Sequence, residues 1–388
     1  MSAPRAFRAA RLFDGTAWHD DALVVTEGAA LLYAGAARHA PSDLRDGLRA
    51  EDLGQGWLVP GFVDLQVNGG GGVLLNDDPS VDTIARICAA HAPFGSTSLL
   101  PTLITDTPEK TAQAIAAGRA AARAAVPGFA GLHLEGPHLD PARKGAHDAR
   151  YIRPMSEDDC AALEAAAADL PALLVTLAPE SASPDQIRRL TQAGATVSLG
   201  HSATSCTAAR RSIEAGARSV THLFNAMSGL GHREPGLVGA ALASGDVSAG
   251  IIADGIHVDP VALGVALRAK TGPGALYLVT DAMATIGTDM TEFTLDGRRI
   301  LRRDGRLTLE DGTLAGADLD MISAVRFMVR EMGLDAAEAL AMAGRVPAGL
   351  IGDGAGRGHL VPGGRADMLL LSDDLQVERV WIGGAVSV

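Results

Sequence analysis

Between residues 61 and 280 the chain repeats one unit, a short apolar run followed by a turn and, in most cases, a helical stretch. Strand-like runs fall at 61–67, 97–100, 128–134, 172–177, 196–199, 219–224, 247–253 and 276–280. Helical patterns at 107–125, 156–168, 183–193 and 259–271 each begin with a Ser, Thr, Asp or Pro start signal. Alternation of this kind predicts parallel βα units that close on themselves, an α/β fold of the (β/α)8 barrel type. Outside this region the pattern is different. Short strand-like pieces at 22–26 and 30–34 precede the repeat, and further strands joined by Gly turns fill 358–388. Both ends are expected to build one small β-sandwich, with residues 1–58 and 351–388 flanking a barrel over 59–350. Beyond Asp281 a turn-rich β segment at 293–314 reads as an insertion near 290–315, followed by helices at 320–332 and 335–343.

At 388 residues, 47% hydrophobic and 20% charged, the chain is long and apolar enough for one large barrel with an accessory domain. A formal charge of -13 argues against nonspecific binding to nucleic acid or an anionic membrane, both of which need clustered Lys and Arg. An anionic substrate would require a local basic pocket. The three cysteines, Cys88, Cys160 and Cys206, form neither a CxxC pair nor a disulfide framework. No apolar run is long enough for a membrane span or a secretory leader, so a soluble protein of the reducing cytoplasm is expected.

In barrels of this type, chemistry collects at the C-terminal ends of the strands. Polar residues fall there: Gln66 and Asn68 after the first strand, Glu135 after the third, His201 after the fifth and His222 after the sixth. Asp254 and His257 follow the seventh run, and Asp281 ends the eighth. Strand side chains alternate, so His133 shares a face with Glu135, and Gln66 with Asn68. One carboxylate and two imidazoles from Glu135, His201 and His222 suit a divalent cation, most naturally zinc, with one position left for water. Zinc lowers the pKa of such a water to about 7. Asp281 is the candidate base. His19, His39, His91, His232 and His359 read as structural histidines, and Asp140 and Asp148 as ordinary loop carboxylates. The glycines at 69–72 lack the Lys-Ser/Thr of a phosphate loop.

Several stretches resemble the amidohydrolase superfamily and, within it, the N-acetylglucosamine-6-phosphate deacetylases. They are Pro60-Gly61-Phe62-Val63-Asp64-Leu65-Gln66-Val67-Asn68-Gly69, His133-Leu134-Glu135-Gly136-Pro137, Gly200-His201-Ser202, Thr221-His222-Leu223-Phe224-Asn225-Ala226 and Thr280-Asp281-Ala282. Arg233-Glu234-Pro235-Gly236 and Asp254-Gly255-Ile256-His257 extend the match. The resemblance implies a barrel with a β-sandwich, a homodimer, and hydrolysis of the acetamide of an N-acetylhexosamine 6-phosphate. Carried over position by position, it implies metal ligation by Glu135, His201 and His222 and acid/base work by Asp281. Substrate contacts are implied for Ala146, His147, Asn225, Ala226, Leu314, Ala315 and Gly316. Phosphate contacts are implied for His257 and for Arg233, the latter reaching in from the neighbouring subunit.

Many superfamily members carry His-x-His after the first strand and hold two metals. Here Gln66 and Asn68 occupy those places, vestiges of a second metal position or supports for the first. Neutral amides are poor zinc ligands, so one tightly held divalent metal per subunit is expected, with Fe2+, Co2+ or Mn2+ as alternatives to Zn2+. His138 stands where relatives often have an aromatic residue. The sequence leaves open the galacto epimer of the substrate, and a non-phosphorylated amide as a more distant alternative.

Overall fold

A computed structural model describes residues 3–352 and 356–387. Residues 1, 2, 353–355 and 388, within the stretches expected to form the small domain, lie outside the described residues.

Eight strands form a parallel barrel: β1 (Phe62–Val67), β2 (Ser96–Ile104), β3 (Leu132–Glu135), β4 (Leu173–Leu177), β5 (Thr196–Leu199), β6 (Ser219–Val220), β7 (Ser248–Ile251) and β8 (Leu276–Leu278). Each pairs in parallel with the next in sequence. The seam between β8 and β1 is closed just past the strand end, where the Asp281 N–H donates to Gln66 O at 3.0 Å and Val67 bridges Ala282.

The expected start signals cap the helices. Thr107, Ser156, Ser183 and Asp259 each accept a backbone N–H from the first turn of Pro108–Arg123, Glu157–Asp169, Pro184–Gln192 and Pro260–Ala269. Ser156 and Ser183 form full capping boxes with Asp159 and Gln186.

Alternation along the strands sorts the side chains. Val63, Leu65, Val67, Leu132, Leu134, Val175, Leu177, Val197 and Leu199 are buried in the main apolar core, each worth about 1.5–3 kcal/mol of burial. The residues between them are polar, and they meet one another across the barrel interior. Thr102 Oγ1 lies 3.3 Å from His133 Nδ1, and His133 Nε2 lies 2.7 Å from Thr176 Oγ1. Thr176 and Ser198 each approach the Thr221 hydroxyl at 2.6 Å. On the opposite wall, the Thr280 hydroxyl donates to Asp64 Oδ2 at 2.6 Å. A barrel interior is more usually filled by branched aliphatic side chains; here hydroxyls, an imidazole and a carboxylate satisfy one another beneath the mouth.

Both chain ends build the small β-sandwich, whose strands link in one continuous sheet. Its order runs Val377–Ile382, Met368–Leu371, Trp57–Pro60, Arg5–Phe13, Trp18–Glu27 and Ala30–Ala36, with Ala385–Val386 on the outer edge and Ala50–Asp52 beside Arg5–Phe13. The ends meet where Trp57–Pro60 pairs antiparallel with Met368–Leu371. Phe7, Leu12, Val24, Leu58, Met368 and Trp381 form a separate core there. Gly61 alone separates Trp57–Pro60 of this sheet from β1.

A four-stranded antiparallel sheet, Glu292–Leu295, Arg298–Arg303, Arg306–Thr308 and Leu314–Ala317, is inserted before the helix Met321–Arg330 and packs over the barrel mouth. Leu295, Ile300, Leu307 and Ala315 rest on Leu74, Ile104 and Met283. The Ala317 N–H donates to Asp281 O at 2.8 Å, which ties this sheet to the end of β8. Gly316 (φ 66°) passes so close to Met283 that a Cβ there would lie 2.5 Å from its side chain. No helix among the described residues is long and apolar enough to cross a membrane.

Candidate active site

Three of the polar strand-end residues leave their strands in the left-handed region: His201 at φ 45°, His222 at φ 28° and Asp281 at φ 52°. Such conformations cost non-glycine residues about 1–3 kcal/mol and persist only where surrounding structure enforces them. They turn each side chain out of the strand and into the mouth. The same effect truncates β6. The apolar run 219–224 is regular only at Ser219–Val220, because His222, Phe224 (φ 80°) and Ala226 (φ 49°) break the extended geometry. In contrast, β2 runs on to Ile104, beyond the run at 97–100.

Glu135 Oε1 lies 3.2 Å from His201 Nε2 and 3.0 Å from His222 Nε2, and the two imidazole nitrogens lie 3.0 Å apart. All three residues are buried, between 2% and 4% exposed. The tautomer of His201 is set by its other nitrogen, since Nδ1 sits 2.8 Å from the Arg143 carbonyl, which can only accept. In the neutral ring Nε2 therefore carries the lone pair, which can ligate a cation. A carboxylate oxygen and two imidazole nitrogens converging in a triangle make a donor set suited to one. The three donor atoms, 3.0–3.2 Å apart, fit a zinc ion, which takes such ligands at about 2.0–2.1 Å. Burial opposes ionisation of Glu135, but hydrogen bonds from His201 and His222 outweigh it and hold the carboxyl well below its ordinary range.

His147 closes the site from the loop after β3. Its Nδ1 receives the Thr105 hydroxyl at 2.8 Å and the Thr105 N–H at 3.4 Å, leaving the proton on Nε2, 3.9 Å from Glu135 Oε2. Donor atoms of Glu135, His147 and His201 all fall within 4.8 Å of one another. The triangle completed by His222 is tighter, and His147 Nδ1 is already engaged, so His147 is better placed as a donor beside the cation site than as a ligand. Burial, with His201 next, keeps this imidazole neutral.

Asp281 stands opposite. Gln66 Nε2 (3.1 Å) and Asn68 Nδ2 (2.7 Å) both donate to its Oδ1, leaving Oδ2 free of them. Burial, reinforced by the negative charge of Glu135, pushes its carboxyl up to about 6. Gln66 Nε2 also donates to Glu135 Oε1 at 3.1 Å, so one amide spans the two carboxylates.

A cavity of about 400 Å3 opens over these groups. Asn68, Glu135, His147, His201, His222 and Asp281 line its floor. Ala146, Asn225 and Ala226 stand on its loops, and Leu314, Ala315 and Gly316 reach it from the inserted sheet. His257 also lines it, with Nδ1 held at 2.6 Å by Asp254 Oδ2 and Nε2 left over. Gln66 acts from behind the wall. Arg233 is exposed and does not line this cavity. His138 is buried away from it, 3.2 Å from the Arg153 carbonyl. Asp140 caps the turn at Pro141–Arg143, as befits a loop carboxylate. Residues the sequence did not single out also line the cavity: Ile104, Met283, Leu295, Thr313 and Arg143. The first four carry no chemical signal. Arg143 has one, a basic residue on the loop between Glu135 and His147.

Comparison with known proteins agrees with this geometry. Residues 57–386 match the model of the amidohydrolase family. The chain is 45% identical over 332 residues to the N-acetylgalactosamine-6-phosphate deacetylase of Shewanella sp. (strain ANA-3), covering 86% of this chain and 83% of the relative. It is 38% identical to the N-acetylglucosamine-6-phosphate deacetylase of Homo sapiens, covering 86% and 84%. The crystal structure of N-acetylglucosamine-6-phosphate deacetylase from Pasteurella multocida superposes with a TM-score of 0.93 at 34% identity, over 99% of both chains. Fold, matched family and these relatives lead to one assignment: the chain belongs to the amidohydrolase family, in the branch of the N-acetylglucosamine- and N-acetylgalactosamine-6-phosphate deacetylases.

Proposed function

We propose that the protein hydrolyses the acetamide of N-acetyl-D-glucosamine 6-phosphate, releasing acetate and D-glucosamine 6-phosphate. The observation that carries this reading is the convergence of Glu135, His201 and His222 opposite Asp281 in one cavity. A divalent cation held by Glu135, His201 and His222, zinc in the first instance, would supply Lewis acidity towards the carbonyl oxygen and make water more acidic. The chain's own groups do the rest. His147 Nε2–H donates to the acetamide carbonyl and polarises it. Asp281 Oδ2 takes a proton from the attacking water and returns it to the departing nitrogen, a double duty suited to a carboxyl poised near 6. Gln66 and Asn68 fix the carboxylate through Oδ1 while this happens. One metal per subunit is proposed, because the Gln66 amide fills the space between Glu135 and Asp281 that a second cation would bridge.

His257 Nε2, Asn225 and Ala226 are proposed to meet the phosphate end. Arg233, exposed in a single chain, is proposed to enter the site of a partner in a cytoplasmic homodimer. Mixed dimers of Arg233→Ala and Asp281→Asn subunits should then regain activity. A second reading has its own support: the Shewanella relative is named for the galacto substrate. Parallel kinetics on the two N-acetylhexosamine 6-phosphates decide between them, and equal or faster turnover of the galacto form would replace the first choice.

A further inference from the structure

The cavity wall holds two carboxylates, Glu135 and Asp281, in a chain whose net charge is -13. A phosphate monoester entering it gains from each basic side chain on the wall, beyond the cation that Glu135, His201 and His222 would hold. Histidines aside, Arg143 is the one basic residue on that wall among the described residues. Its backbone is fixed to the site: the N–H donates to Asp140 O at 2.9 Å, and the carbonyl accepts from His201 Nδ1 at 2.8 Å. Its side chain is not fixed. Neighbouring arginines are paired, Arg150 with Asp148, Arg153 with Asp159 and Arg298 with Asp296. The exposed Arg143 guanidinium has no ion pair or hydrogen bond among the described residues.

An unpaired guanidinium rooted beside a proposed metal ligand, the one arginine or lysine that the described residues of this chain place at the rim of the cavity, has the character of a binding group awaiting its anion. We propose that Arg143 binds the phosphate of the substrate from within the same chain, as a specificity-determining residue additional to Arg233. The proposal rests on the sugar-phosphate reading given above. The planar fork of guanidinium donors matches two phosphate oxygens at once. Because the His201 contact uses the backbone carbonyl, a side-chain substitution leaves that contact in place.

The test compares kcat/KM on the 6-phosphorylated and unphosphorylated N-acetylhexosamine for wild type, Arg143→Ala, Arg143→Lys and Arg233→Ala, with inorganic phosphate as competitive inhibitor. Arg143→Ala should lower the phosphorylated-to-unphosphorylated ratio about tenfold or more, mainly through KM, and weaken inhibition by phosphate. Arg143→Lys should recover part of the ratio, since it restores charge without the fork. An unmoved ratio in Arg143→Ala, or an equal fall on both sugars, overturns the assignment. If Arg233→Ala lowers the ratio and Arg143→Ala does not, the proposed function stands and only Arg143 is wrong. A wild-type enzyme without preference for the phosphorylated sugar overturns both.

Discussion

The floor of the barrel and its mouth are built from the same residue types and put to different uses. On the floor, Asp64 receives the Thr280 hydroxyl at 2.6 Å and the Gln66 and Thr280 N–H groups at 3.2 and 3.3 Å, and is fully buried. His133 is bounded by threonine hydroxyls on both sides, and burial lowers its pKa to about 4, so it is neutral. In the mouth, two imidazoles crowd one carboxylate oxygen, and Asp281 is held through a single oxygen. His222 Nδ1 has no hydrogen-bond partner among the described residues. Polar groups that satisfy one another make architecture. Those left with converging lone pairs make a site for something else.

Substitutions at matched positions should separate the two layers. Asp281→Asn keeps the size of the side chain and a hydrogen-bonding oxygen but cannot carry the proton. It should cut kcat by about a thousandfold while thermal unfolding and metal content stay near wild type; unimpaired turnover would remove Asp281 from the chemistry. Glu135→Gln should weaken metal affinity by at least about a hundredfold, read by metal analysis after dialysis, because it removes the only negative charge in the triangle.

Asp64 and His133 give the floor opposing pH dependences. Burial, partly opposed by the hydrogen bond from Thr280, pushes the Asp64 carboxyl up to about 7. The folded protein therefore keeps a proton that the unfolded chain loses from about pH 4 upward. The Asp64 contribution to stability therefore falls as pH rises between those limits, by up to about 4 kcal/mol, while that of His133, kept neutral by burial, rises with pH over the lower part of the same window. Asp64→Asn should remove that falling contribution, so that stability rises more steeply with pH than in wild type across the window, and it should still fold because the Thr280 hydroxyl can turn to the Gln66 carbonyl 3.4 Å away. A slope unchanged in the variant would assign that contribution elsewhere. The smallest effect is expected for Thr176→Val, which takes away the partner of His133 Nε2 and one of the two partners of the Thr221 hydroxyl. His133 Nε2 is the group left without a partner, since Ser198 still meets the Thr221 hydroxyl, so the change should cost about 1–3 kcal/mol of stability and change kcat less than tenfold, whereas a kcat loss as large as that of Asp281→Asn would erase the distinction between floor and mouth.

The two layers were not equally legible. Glu135, His201, His222 and Asp281 announced themselves because each interrupts or ends an apolar run where barrel chemistry collects. The barrel itself was readable from period and caps. The premature end of β6 was not, since nothing in the residue types of His222, Phe224 or Ala226 signals a positive φ; tertiary contacts impose it. Nor was the seating of the inserted sheet, which depends on Ile104 and Met283 meeting Leu295 and Ala315 across long stretches of chain. Arg143 was passed over because a loop residue has no periodicity to place it. Its position follows from the Asp140 and His201 contacts.

The central claim is that Glu135, His201 and His222 hold one metal that serves deacetylation of a sugar phosphate. It is tested most directly by acetate release from N-acetylglucosamine 6-phosphate, measured on protein stripped by chelation and then titrated with Zn2+, Fe2+, Co2+ or Mn2+. The account predicts loss of activity on stripping and full recovery at one equivalent per chain. Full activity in stripped protein, or recovery only at two tightly bound equivalents, would contradict it.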